Sequence, residues 1–149
     1  MAKSYGWAGK VLRVDLTNRK AEMLPTTDFE PEKYLGGQGL NNRIFWAMGC
    51  PDVAAFHPDS PLLIANGPLS GTAGPFSRGT VCAIAPQSYP KELFTYSSFG
   101  GRFASELKYA GYDAVAIVGK ADRPSYLCIH DVDVTIEDAG ELWGLDTFQ

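Results

Sequence analysis

The chain has 149 residues, 45% hydrophobic and 12% aromatic, which is enough to bury one core and close to the size of a single domain. A formal charge of -4, with Lys and Arg scattered along the chain, excludes a basic surface of the kind that neutralises nucleic-acid phosphates. No apolar run approaches the ~18 to 20 residues that span a bilayer, and the first residues lead into patterned sequence without a signal-peptide core, so no membrane partner and a soluble, cytoplasmic protein are expected.

Val11 to Leu16 alternates apolar and polar positions, Thr17-Asn18 is a turn pair, and Lys20 to Leu24 returns, which predicts a hairpin. Pro31 suits the first turn of a helix, and the helical stretch runs on to Leu35 before Gly36-Gly37 interrupts it. A second helix follows. Leu40, Ile44, Ala47 and Met48 fall on one face, Asn41, Asn42 and Arg43 on the other, and Gly49 caps its end. Pro61 to Ala65 reads as a short strand that stops at Asn66-Gly67-Pro68.

Thr80 to Ala85 and Leu93 to Ser97 read as two strands joined by a turn-rich segment, Pro86 to Pro90. Gly100-Gly101 then precedes a helix expected to turn Phe103, Ala104, Leu107 and Ala110 inward and Arg102, Ser105, Glu106 and Lys108 outward, ending at Gly111. Asp113 to Val118 is a strand, and a last hairpin, Tyr126 to His130 against Val132 to Ile136, leads into a polar tail. Each half thus runs hairpin, glycine pair, helix, glycine cap, strand. An internal duplication is expected, over roughly residues 9–72 and 79–137 of one domain covering 1–149. The fold class is α+β, with two mainly antiparallel sheets and few helices.

A glycine pair that opens a helix leaves backbone amides uncrowded, with the positive end of the helix dipole behind them, which suits an anion. Gly37 with Gln38, and Gly100 with Gly101, hold these positions. The same pairs also fit plain tight turns. Gly67 to Arg78 is a stretch of small residues ending in one arginine, whose planar fork of donors fits a ligand-contacting loop; a surface loop with a solvated arginine is the alternative. Cys50, Cys82 and Cys128 lie too far apart for a cluster or zinc motif and read as reduced thiols in or near the core; His57 and His130 read as loop or strand-end residues. No set of side chains forms a nucleophile triad, a metal-binding histidine pair or a Walker loop, so no catalytic and no metal-ligating residue is assigned. Glu106 and Asp113 are the most suggestive carboxylates and are read as structural.

Four blocks stand in a telling order: Gly9-Lys-Val-Leu-Arg-Val-Asp-Leu-Thr17, Tyr34-Leu-Gly-Gly-Gln-Gly-Leu40, Asn66-Gly-Pro-Leu-Ser-Gly-Thr72 and Gly100-Gly-Arg-Phe-Ala-Ser-Glu-Leu-Lys-Tyr-Ala-Gly-Tyr-Asp-Ala114. Together they resemble the opening of the tungsten-dependent aldehyde:ferredoxin oxidoreductase family across essentially the whole chain. The resemblance implies a domain forming a base under a tungsten ion held by two pyranopterins. It carries the family's pterin-contacting arginine onto Arg78 and its later contacts onto Ser98 and Gly100; Gly37, Gln38 and Gly101 join them as expected cofactor contacts. Ser98 stands where well-known aldehyde-oxidising members have asparagine, Gln38 where many members have arginine, and the interval from Arg78 to Ser98 is longer. Aldehydes, other carbonyl compounds and aromatic coenzyme A thioesters therefore stay open as substrates. By the same resemblance, a [4Fe-4S] cluster and much of the substrate cavity belong to later domains, ferredoxin accepts the electrons, and the chain alone is expected to be inactive. A domain without those partners exposes an apolar face, so a homo-oligomer is expected. The competing reading is a non-catalytic assembly or dimerisation scaffold derived from such a domain.

Overall fold

The structure, a computed structural model, describes residues 6–146 and 148. Eight strands and a few short helices build it, as the punctuation by Gly and Pro predicts. The first hairpin is β1 (Lys10–Asp15) against β2 (Lys20–Pro25). Its turn is held by Asp15, whose carboxylate accepts from the Asn18 backbone and side-chain amides at 3.0 and 2.7 Å; these bonds hold the Asp15 carboxyl below its usual range. A 3-10 turn (Thr26–Phe29) leads into the four-residue α1 (Pro31–Tyr34). Then come α2 (Gly37–Ala47), β3 (Leu62–Asn66), β4 (Gly79–Ala85), β5 (Leu93–Phe99), α3 (Phe103–Tyr109), β6 (Ala114–Val118) and a hairpin of β7 (Ser125–His130) with β8 (Asp133–Asp138).

The first six strands form one sheet in the order β2-β1-β6-β3-β4-β5, and β7-β8 form a second. Pairing is antiparallel throughout except between β1 and β6, which run parallel. The element order of the first half recurs in the second, but β1 lies parallel to its inner neighbour β6 while β4 lies antiparallel to β3. The sheet is covered on both faces. On one, α2 packs Leu40 and Ile44 against Val11, Leu63, Ala65, Cys82, Ala114 and Ala116. On the other, α3 and the inner residues of β7-β8 (Leu127, Ile129, Val134, Ile136) cover Leu12, Val14, Tyr112 and Val115. Tyr112 donates its hydroxyl to the Asp131 carbonyl at 2.7 Å, fastening that hairpin at its turn.

Several expected placements are corrected. Asn41 points into the core and is fully buried, whereas Ala47 is exposed, so the buried stripe of α2 keeps Leu40 and Ile44 but shifts its edge from Ala47 toward Asn41. Phe103 does not enter the core: it is half-exposed and meets Phe99 edge-on, ring centroids 5.7 Å apart. Cys82 is buried, but Cys50 and Cys128 are exposed, one just beyond α2 and the other on the outer side of the alternating β7. Among the described residues no helix is long and apolar enough to cross a membrane.

Asp113 holds the amino-terminal segment to this frame. Its side chain is 1% exposed and accepts from the Ala8 and Gly9 amides at 2.9 and 2.8 Å, the Thr26 hydroxyl at 2.7 Å and the Lys108 ammonium at 2.6 Å. Four donors on one carboxylate satisfy its lone pairs and offset its desolvation. Lys108 also donates to the Gly6 carbonyl, and the Trp7 indole donates to the Leu35 carbonyl at 2.6 Å, so residues 6–9 form a strap across one end of the sheet. Glu106, by contrast, is an exposed partner of Arg102. Both carboxylates, read as structural from the sequence, thus have charged partners within the chain.

Candidate functional site

The strapped end of the sheet is where β3 and β5 finish, β4 begins and α2 begins. Gly36 allows the close approach: a Cβ there would lie 2.6 Å from the Asn66 carbonyl oxygen and 3.0 Å from the Gly67 Cα. Gly37 has φ +53° and faces the Thr80 hydroxyl, which would stand 3.2 Å from an added Cβ. Thr80 is paired with Ser98 across β4 and β5, and Gly79 with Phe99 is the last pair of that ladder. Arg78 and Gly100 each lie one residue beyond that pair. Gly101, with φ +91°, precedes α3.

The six residues singled out in the sequence, Gly37, Gln38, Arg78, Ser98, Gly100 and Gly101, therefore gather along one rim. Side chains alternate across a strand. Phe94 stacks on Phe45 of α2, centroids 3.9 Å apart, so Phe94, Tyr96 and Ser98 of β5 point to the face that α2 covers. Between α2 and β5 runs an open groove of about 290 Å³ lined by Gln38, Phe45, Trp46, Phe94 and Tyr96 among others.

The loop from Gly67 to Arg78 is folded rather than loose. The Ser70 hydroxyl accepts from the Gly67 amide at 3.1 Å, the Thr72 hydroxyl donates to the Leu69 carbonyl at 2.7 Å, and Tyr109 of α3 donates to the Gly71 carbonyl at 2.7 Å. Arg78, Ser98 and Gln38 are exposed, and among the described residues none of their side chains takes a hydrogen bond or ion pair. A Cβ on Gly100 or Gly101 would meet nothing within 4 Å. The rim thus offers a guanidinium, a hydroxyl, an amide and uncrowded backbone to a group outside the chain. Among the described residues no group of three His, Cys, Asp or Glu side chains is arranged to hold a metal ion.

Three contributors escaped the sequence reading. Thr80 links Gly37 to Ser98, yet a threonine at a strand start carries no distinguishing signal. Asn41 and Asn66 are buried amides, each donating to two backbone carbonyls: Asn41 to Thr80 at 3.0 Å and Leu63 at 3.4 Å, Asn66 to Tyr112 at 3.0 Å and Ala104 at 3.3 Å. Helical period assigns Asn41 outward because polarity usually means exposure, and only the tertiary contacts overturn that.

Comparison with known proteins bears on the same stretch. The family model for the aldehyde ferredoxin oxidoreductase N-terminal domain matches residues 11–149. A tungsten-containing aldehyde ferredoxin oxidoreductase of Pyrococcus abyssi is 38% identical over 140 residues, 94% of this chain and 23% of that protein. The WOR-like subunit of an aliphatic sulfonate oxidoreductase of Pyrococcus furiosus is 35% identical over 144 residues, 95% of this chain and 22% of that protein. Among solved structures, the active site complex BamBC of benzoyl coenzyme A reductase, in complex with 1,5-dienoyl-CoA, superposes with a TM-score of 0.87 at 41% identity, covering 94% of this chain and 21% of the matched one. The chain spans under a quarter of the length of these relatives. With the match running from β1 to the last residue, the chain belongs to the aldehyde ferredoxin oxidoreductase family, as its N-terminal domain.

Proposed function

We propose that the rim bearing Gly37, Gln38, Arg78, Ser98, Gly100 and Gly101 holds part of a tungsten bis-pyranopterin cofactor, and that the chain is the cofactor-binding part of a larger oxidoreductase. The observation that carries this reading is the row of donors without partners among the described residues, set beside glycines that open onto free space. The donor chemistry fits the group. A pyranopterin bears phosphate and heterocyclic acceptors; the Arg78 fork suits phosphate oxygens, while Ser98 and Gln38 suit ring acceptors. None of these rim side chains carries a negative charge that would repel an anionic group.

When bound, the cofactor supplies the two-electron chemistry of its metal. The residues of this chain bind and orient it: Arg78 neutralises charge, Ser98 and Gln38 fix direction, and Gly100 and Gly101 let it approach the backbone. The reaction of the whole protein is proposed as oxidation of an aldehyde to a carboxylate, with electrons passing through a [4Fe-4S] cluster in other domains to ferredoxin. The isolated chain has no turnover in this reading, and the assembled protein is a homo-oligomer. A second substrate class, aromatic coenzyme A thioesters, is supported by the 41% identity to the benzoyl coenzyme A reductase complex together with its TM-score of 0.87.

The test uses the full-length protein from a tungstate-fed host, with tungsten and pterin measured per mole. A Cβ added at Gly100 meets nothing within 4 Å among the described residues, so Gly100→Ala is expected to leave the thermal midpoint of the cofactor-free protein unchanged while cofactor content falls. Arg78→Ala loses cofactor likewise. Wild-type cofactor content in both variants would remove the rim from the cofactor site and return the domain to the scaffold reading.

A further inference from the structure

Asn41 is fully buried on the core face of α2, between Leu40 and Ile44. A leucine would fill such a position with no polar atom of its own to satisfy. Asn41 instead aims its side-chain nitrogen at the Thr80 carbonyl (3.0 Å), the Leu63 carbonyl (3.4 Å) and the Cys82 sulfur (3.4 Å). Three acceptors around one end fix which end is nitrogen, because the oxygen could only repel the two carbonyls. The other end, Oδ1, is buried and has no hydrogen-bond partner among the described residues. A buried acceptor without a donor is costly, and such a group in a folded protein calls for an explanation.

The explanation lies in what the donated bonds fix. Apolar packing of a helix on a sheet is not directional and resists a small slide or rotation weakly. Bonds from one amide to two adjacent strands, β3 and β4, resist both. Gly37 and Gln38 lie four and three residues before Asn41, directly above it on the same helical face. Thr80, the better of the two carbonyl partners, is the residue that Gly37 faces and that pairs with Ser98.

We propose that Asn41 is a positioning residue: by tying α2 to the Thr80 and Leu63 carbonyls it sets the distance between the Gly37-Gln38 side of the rim and the Arg78-Ser98 side. The proposal rests on the cofactor-binding reading given above. Its cost is the unpaired Oδ1, and its product is a rim whose two sides stand in fixed register.

Full-length protein is made as wild type, Asn41→Leu, Asn41→Ala and Arg78→Ala, and each is assayed for tungsten and pterin per folded protein and for the thermal midpoint without cofactor. Asn41→Leu is expected to stay folded with a midpoint close to wild type, since it removes the orphaned oxygen together with the two donated bonds and the gain offsets the loss, while cofactor retention falls about tenfold, the size typical of losing a group that orients direct ligands. Asn41→Ala serves if leucine does not fit. Wild-type retention in a folded Asn41 variant, with Arg78→Ala depleted, overturns the positioning role and leaves the cofactor site standing. Retention that falls only in step with the unfolded fraction, or failure of both variants to fold, makes Asn41 merely structural and also overturns it. Wild-type retention in Arg78→Ala refutes the cofactor reading itself, and the positioning role with it.

Discussion

Replacing Asp113 by asparagine tests the clasp at the strapped end with almost no change of shape. The carboxylate accepts from the Ala8 and Gly9 amides, the Thr26 hydroxyl and the Lys108 ammonium, all within 2.9 Å, and is 1% exposed. An amide has one accepting atom in place of two, and its own hydrogens would face donors. The Lys108 side chain, 12% exposed, would lose its counter-charge. Removing one member of a buried ion pair costs about 3 to 5 kcal/mol. That is a large share of the roughly 5 to 15 kcal/mol that holds a domain folded, and for a chain of this length it lowers the melting point by on the order of 10 °C. Urea unfolding of the wild type, Asp113→Asn and Lys108→Met, with slopes compared to confirm that the same surface is exposed, measures the effect. Lys108→Met leaves the carboxylate with three donors but no counter-charge and is expected to destabilise the chain as well. A stability change under about 1 kcal/mol for Asp113→Asn would refute the reasoning, because it would mean that the four donors are not bound to a buried charge in solution.

Other outcomes follow from local features. Leu35 is an exposed non-glycine residue at φ +61°, ψ -78°, with the Gly36 amide bonded to the Tyr34 carbonyl around it at 2.9 Å. Strain of that kind costs about 1 to 3 kcal/mol against about 0.4 to 1 for the added freedom of an unfolded glycine, so Leu35→Gly should stabilise the chain in a melting experiment. Iodoacetamide at neutral pH should modify Cys50 and Cys128 in the native chain and reach Cys82 only after unfolding, since burial pushes the Cys82 thiol above its ordinary value; mass spectrometry counts the adducts. Bonds from Lys33 and Arg43 hold the Glu30 carboxyl below its ordinary 4.5. Its contribution is therefore full above that value and lost as the pH falls through the lowered one. The stability advantage of wild type over Glu30→Gln should be constant near neutrality and collapse in acid, in a series of melts against pH.

Much of the fold was legible because Gly and Pro punctuate it. Pro31 opens α1, Gly49 follows α2, Gly111 follows α3, and the Asp15-Asn18 turn stands where a turn pair was read. The last hairpin, read as Tyr126 to His130 against Val132 to Ile136, is present as β7 and β8. What could not be read is non-local. The parallel pairing of Val11 with Ala114 joins segments about a hundred residues apart, and no local pattern encodes it. The clasp at Asp113 likewise depends on Ala8, Gly9 and Thr26, all distant in sequence. Of the rim, the glycine pairs and Arg78 could be picked out by type, but their common location comes from the β4-β5 register and from the closeness that Gly36 permits. Asn41 was assigned to the wrong face because only its partners on β3 and β4 distinguish a buried amide from a solvated one.

The strand order has a consequence for how the domain comes into being. β6 is the last strand of the large sheet to be synthesised, yet it lies in the middle, with β1 on one side and β3 on the other. Until Val118 has emerged, a nascent chain can form a β1-β2 hairpin and a β3-β4-β5 meander, but nothing joins them into one sheet. The two pieces wait with their inner edges bare, and unpaired edges are where chains pair wrongly with one another. β6 closes both gaps in one step, and Asp113 at its start locks the amino-terminal strap in the same event. Completion of the sheet, the clasp and the end that carries the rim thus all wait for the arrival of β6, and contacts of such long sequence separation make that step slow.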